Sequence, residues 1–380
     1  MLPSTKPIAA KQELLGVQAL RGIAAWMVVM DHVNLWQTKY FPGPGPLPAA
    51  TYTGEFGVDL FFVISGFIMM YVTPRAFRGW RDQGAFLVRR FLRIYPAYWA
   101  ICLILLAVWL YNPRMLNNSQ GNHLDLVSSF LLLPSSLFPI LVVAWTLIFE
   151  IYFYCVASLI FYFSGAWRLA LAALWFLIIV ACNIAHPLPF SSPCLNIWLS
   201  TLSLEFIGGM FLAYFLLHAP LRIPPRVAGL VTLAFLVFAF YFGYRHGSYG
   251  LGPYSHWRLV VYGVPALVTL WMVLQMELQN QWGWLKKLVW LGDRSYSTYL
   301  FHVPVLAALM LLAARWKQHP SNLELALLDL FCVLILLVPV EVSYRLVEKP
   351  SHAFAKRLAA SLLSARPRPD ASAALKHDIS

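Results

Sequence analysis

The chain has 380 residues, of which 60% are hydrophobic and only 12% charged, with a mean hydropathy of +0.67; a soluble domain is about 45–50% apolar and about 25% charged. That composition excludes an ordinary soluble enzyme and, with repeated apolar runs long enough to cross about 30 Å of hydrocarbon, predicts an all-α polytopic transmembrane helical bundle. The net charge of +12 does not point to nucleic acid, because the basic residues lie between the apolar runs, as topology signals do.

About ten membrane helices are expected, over 15–35, 57–73, 96–111, 141–163, 168–185, 196–217, 227–243, 257–276, 296–314 and 324–345. The third is shortened by Tyr95-Pro96, and the stretch from Asn117 to Pro139 reads as a polar loop with a short interfacial or re-entrant helix. Lys6 and Lys11 precede a first run without a clean apolar core or a small-residue cleavage site, so no removable signal peptide is expected. With both termini cytoplasmic, only Lys39, Arg114, Arg245, Arg258, Arg315 and Lys317 of the 28 Lys and Arg lie outside, as the positive-inside rule requires. Residues 1–350 form one membrane-embedded domain on this reading, and 351–380 a basic cytoplasmic tail that is surface-lying or disordered. The five cysteines are odd in number, lack metal-type spacing and mostly lie inside apolar runs, which predicts neither a disulfide framework nor a metal site.

Several runs carry ionisable residues at membrane depth, where each costs several kcal/mol unless it faces a polar interior. In "ALRGIAAWMVVMDHV", Arg21 and His32 are eleven positions apart, on one helix face and about 16 Å apart along it. One face carrying both suggests a lined cavity; the alternative is an Arg21 that snorkels inward and a His32 at the outer interface. Asp59, in "GEFGVDLFFVISGF", starts the second helix at a depth comparable to His32, where a carboxylate can fix the imidazole tautomer or simply satisfy first-turn amides. Ser65-Gly66 in the same segment permits close helix packing.

"RRFLRIYP" sets Arg89, Arg90 and Arg93 just before the third helix, a cluster suited equally to phosphate oxygens and to anionic lipid. Glu150 and Glu205 lie deep in the fourth and sixth helices, where a carboxylate is paired, protonated or functional. Tyr296, Tyr299 and His302 share one side of the ninth helix, with His302 read as a structural group among aromatics, and Glu348 is expected to pair with basic neighbours at the inner surface.

In their order and wording these segments, with "WTLIFEIYFY" and "SYSTYLFHVP", resemble the integral-membrane acyltransferase-3 family over roughly residues 15–350. The family includes bacterial O-acetyltransferases of cell-surface sugars. The resemblance implies a multi-pass enzyme of the bacterial inner membrane. It would move an acyl group, usually acetyl from acetyl-CoA, to a hydroxyl of a sugar or glycolipid acceptor. It has acyl-CoA as co-substrate and no permanently bound cofactor. His32 matches the family's catalytic histidine, Arg21 the arginine placed with it, and Glu150 a motif carboxylate. The expected catalytic set is therefore His32 with Asp59 or Glu150, with Arg21, Arg89, Arg90 and Arg93 holding the CoA phosphates. A transporter or flippase for a glycan or lipid-linked substrate is the alternative, since intramembrane Arg, Glu and His serve it equally well.

Overall fold

In the computed structural model, all regular structure among the described residues is helical. These are residues 14–364 apart from 44, 48–50, 52, 74, 117–119, 187, 219–221, 247–254, 280 and 282. The first half of the chain forms α1 (Leu15–Tyr40), α2 (Phe56–Val72), α3 (Trp80–Tyr111), α4 (Leu126–Leu131), α5 (Trp145–Ile160), α6 (Gly165–Ala185) and α7 (Pro193–Trp198). The second half adds α8 (Leu202–His218), α9 (Pro225–His246), α10 (His256–Arg258), α11 (Val264–Leu278), α12 (Val289–Asp293), α13 (Ser295–Trp316), α14 (Asn322–Ser343) and α15 (Lys349–Ser364).

The ten apolar runs map onto helices, although the sixth is divided between α7 and α8 and the eighth joins α10 to α11 through a π-helical turn, and among the described residues eight helices are long and apolar enough to cross a bilayer, which makes the chain a multi-pass membrane protein. Of the other two, α2 is strongly apolar but has 17 residues. The 26-residue α1 is interrupted by Arg21, Asp31 and Lys39. The segment after Asn117 contributes the short α4, whose first turn is capped by the Asp125 carboxylate accepting from the Ser128 amide at 3.0 Å.

The third helix corrects its expected start. It begins at Trp80 and runs through Pro96, so Arg89, Arg90 and Arg93 lie within the helix and not ahead of it. Pro96 removes one backbone donor, but the half that precedes it is held by tertiary packing: it buries Ala85, Phe86 and Ile94 and lies along α15. α15 itself continues from α14 through a π-helical turn over Tyr344–Glu348 and buries Ala355 and Ala359. Residues 365–380 of the expected tail lie outside the described residues.

At the centre, α2 packs along α8, and α1 packs against α2, α12 and α13. The Ser65-Gly66 reading is borne out in its geometry: a Cβ at Gly66 would lie 1.8 Å from the Phe206 carbonyl oxygen. Reciprocally, one at Gly209 would lie 2.0 Å from the Val63 carbonyl oxygen, so the two backbones touch. A second, smaller apolar cluster joins Val29 and Val33 of α1 to Leu306 and Met310 of α13 and Leu336 of α14.

Candidate active site

A cavity of about 270 Å³ lies between α1, α2, α3, α5 and α13. It is bounded along α2 from Val58 to Val72, a rise of about 21 Å. Its charged lining is Arg21 from α1, Arg90 and Arg93 from α3, and Glu150 from α5. Arg93, Glu348 and Glu150 are the charged side chains that act on Arg21. The Glu150 carboxylate accepts a hydrogen bond from the Tyr154 hydroxyl one turn on, and Arg21 donates to Gln18 Oε1 at 3.0 Å. Arg90 lies over the rings of Phe86 and Tyr154 and has a buried Nε without a hydrogen-bond partner. Arg89 is exposed and is not part of this lining. Helical spacing separates them: of the three arginines, Arg90 and Arg93 share the face that packs toward α5, and Arg89 does not.

Toward the α2 start the lining is uncharged, with Phe61, Thr146 and Tyr299. Tyr299 is held there by Thr146 Oγ1 at 2.8 Å and the Val143 carbonyl at 3.0 Å. One turn along α13 from Tyr299, the buried His302 meets His32 of α1, their rings edge to face with centroids 4.7 Å apart. His32 Nδ1 lies 2.9 Å from the Val28 carbonyl. A carbonyl can only accept, so Nδ1 carries the hydrogen and Nε2 keeps its lone pair. Asp31 lies 3.8 Å from that Nδ1.

The structure gives Asp59 a different partner from the one expected. Its carboxylate, fully buried, receives Nε and Nη2 of Arg258 at 2.9 and 2.8 Å, and Arg258 Nη1 reaches Glu55 at 3.2 Å. The bidentate match of guanidinium to carboxylate takes up Asp59, and the tautomer of His32 is set by backbone, at Val28. Glu205 belongs to this second cluster, where Asp59 and Arg258 act on it. Glu348 has the expected basic neighbours, with Arg93 and Arg21 as the cations acting on it, but it is buried and its hydrogen bond comes from Ser297 Oγ at 2.8 Å.

The geometry thus brings Arg21, Arg90, Arg93 and Glu150 together, places His32 beyond the far end of the same cavity beside His302, and leaves Arg89 and Asp59 elsewhere. Sequence reasoning gave Tyr154 no role, read Tyr299 and His302 as structural, and read Arg258 as a topology signal. Tyr154 sits at helical spacing from an expected site residue, four positions after Glu150, and Tyr299 and His302 are three positions apart on one face of α13. Arg258 gave one signal, a cation at the edge of an apolar run.

A family described as "Acyltransferase domain", acyltransferase 3, matches residues 14–344. The exopolysaccharide production protein ExoZ of Rhizobium meliloti is 32% identical over 257 residues, 66% of this chain and 75% of that protein. The peptidoglycan O-acetyltransferase OatA of Listeria monocytogenes is 23% identical over 379 residues, 88% of this chain and 55% of its own length. No solved structure matches the chain.

Proposed function

The chain belongs to the acyltransferase-3 family and is an acyltransferase enzyme, and from that premise we propose that it moves acetyl from acetyl-CoA to a sugar hydroxyl of an exported or cell-surface glycan. The observation that carries the donor assignment is the cavity end where Arg21, Arg90 and Arg93 converge with Glu150 as the one lining carboxylate. Guanidinium groups bind phosphate oxygens bidentately, and the buried Arg90 Nε is a donor without a protein partner. A nucleotide-bearing thioester held by its phosphates at this end has about 21 Å of cavity along α2 in which to extend its arm.

In this reading His32 is the general base. Its free Nε2 takes the proton of the acceptor hydroxyl as the oxygen attacks the thioester carbonyl, and the departing thiolate receives that proton. Glu150 with Tyr154 fixes the arginine end of the cavity and does not orient His32. Arg89 is outside the donor site, and Asp59 with Arg258 anchors α2 to α10. Both termini are cytoplasmic in the bacterial inner membrane, which puts the arginine end on the side where acetyl-CoA is made. The sugar acceptor is supported by the names of the two relatives, one an exopolysaccharide production protein and the other a peptidoglycan O-acetyltransferase.

The test follows label from acetyl-CoA into extracted glycans and glycolipids in membranes carrying wild type or His32→Ala, matched for folded protein. Transfer by wild type and its loss in the variant are expected. Equal transfer in both removes His32 from the chemistry, and movement of acceptor without acylation replaces the reading with transport.

A further inference from the structure

Among the described residues no carboxylate is hydrogen-bonded to His32 in the way that usually orients a catalytic imidazole. Asp59 is held by Arg258, Glu150 is bonded to Tyr154, and His32 Nδ1 is turned to the Val28 carbonyl, with Asp31 at 3.8 Å. The side chain in ring contact with it is His302, completely buried and edge to face at 4.7 Å. His302 Nδ1 lies 2.7 Å from the Tyr299 carbonyl, so it carries the hydrogen, and Nε2 is left with a lone pair. That Nε2 is buried without a hydrogen-bond partner. A buried acceptor left unmade is unfavourable for folding, and a phenyl ring of similar size would avoid the cost. A histidine placed here at the expense of stability, against the proposed base, calls for a functional explanation.

We infer that His302 is the positioning residue of the acyl-transfer step: it holds the His32 imidazole edge to face and opposes its Nε2 lone pair to the charge His32 carries while it holds the acceptor proton. The inference rests on the reading of His32 as general base. In the step itself, the acceptor O–H bond breaks with its proton passing to His32 Nε2, and the oxygen forms a bond to the thioester carbonyl carbon. The C–S bond then breaks with its electron pair on sulfur, and the thiolate takes the proton from His32. His302 gives up and gains no atom. Its contribution is to hold the base in line and to stabilise the imidazolium in a site where Asp31 is the one acidic side chain within 4 Å of the His32 nitrogen among the described residues. Tyr299, whose ring centroid is 5.5 Å from that of His302, links the pair to the cavity.

The experiment measures kcat and KM for acetyl-CoA and acceptor, with thermal unfolding in detergent, for wild type, His32→Ala, His302→Phe and His302→Gln. For His302→Phe the expectation is a kcat lower by about 10- to 100-fold, at or just below the lower limit of the roughly 100- to 10,000-fold range for general-base catalysis, because the base itself remains, with both KM values and the folded fraction unchanged and Tm equal or higher. His302→Gln restores an acceptor atom and is expected to recover part of the loss. A His302→Phe kcat within about twofold of wild type overturns the inference, as does a fall that merely tracks lost folded protein in both variants. These outcomes stand apart from failure of the underlying reading, which shows as no transfer by wild type or as transfer that survives His32→Ala.

Discussion

Replacing Arg258 with methionine tests whether Asp59 belongs to the architecture or to the chemistry. Arg258 is 2% exposed and makes two bonds to Asp59, itself 0% exposed, and reaches both the carboxylate and the backbone carbonyl of Glu55. Methionine fills much of the volume but strands the Asp59 carboxylate beside Glu205 with no counter-charge. Breaking a buried pair in this way costs about 3–5 kcal/mol, whereas removing both partners is often neutral. The double variant Arg258→Met with Asp59→Asn is therefore expected to regain most of the loss, with a coupling of at least about 2 kcal/mol in the double-mutant cycle. Detergent-denaturant titration of purified protein gives the stability, and labelled-acetyl transfer, normalised to folded protein, gives the activity. A single variant within about 0.5 kcal/mol of wild type, or a double variant no more stable than the single, would refute the pairing argument. Normal stability with abolished transfer would return Asp59 to the catalytic machinery.

Gly66→Ala puts a methyl 1.8 Å from the Phe206 carbonyl oxygen, and overpacking of this kind costs about 1–3 kcal/mol; the same titration should show it. Gly229→Ala in α9, where a Cβ meets nothing within 4 Å, should be neutral or stabilising by up to about 1 kcal/mol, and similar losses for both would place the sensitivity outside the α2–α8 contact. Arg93→Gln and Arg90→Gln should each raise the KM for acetyl-CoA more than about tenfold, as loss of a charged hydrogen bond worth about 1.5–3 kcal/mol implies. Arg89→Ala should raise it less than about twofold, and equal effects at all three positions would remove the cavity as the donor site.

The membrane architecture was legible because hydrophobic runs report directly on bilayer thickness, although the sixth run hid the break between α7 and α8 at 199–201. The shared face of Arg21 and His32 was legible from helical periodicity alone. The division of the arginine cluster was not: Arg89, Arg90 and Arg93 occupy neighbouring positions on one helix, and which of them meets the cavity depends on how that helix is rotated against α5 and α15. Pro96 misled for a related reason, since local chemistry ends a helix there and packing continues it. The Arg258–Asp59 pair joins residues 199 positions apart, so Asp59 alone pointed to its nearest polar neighbour in depth, His32. His302 looked structural because a single histidine among aromatics has no periodic partner; its partner is on α1.

The placement of acids explains why one cavity end can stay cationic. Glu55, Asp59 and Glu205 gather around Arg258, with Asp31 acted on by Glu55 and Arg258 as well. The cavity keeps Glu150 as its one lining carboxylate against three arginines. At an effective dielectric near 20, one unit charge about 10 Å away is worth about 1.7 kcal/mol, more than a factor of ten in the binding of a singly charged anion. A further carboxylate in the lining would therefore weaken a phosphate ligand severely. By partnering Asp59 and Glu55 away from the cavity, Arg258 leaves Arg21, Arg90 and Arg93 facing Glu150 as the one lining carboxylate, while the opposite end of the lining, at Phe61, Thr146 and Tyr299, carries no charge.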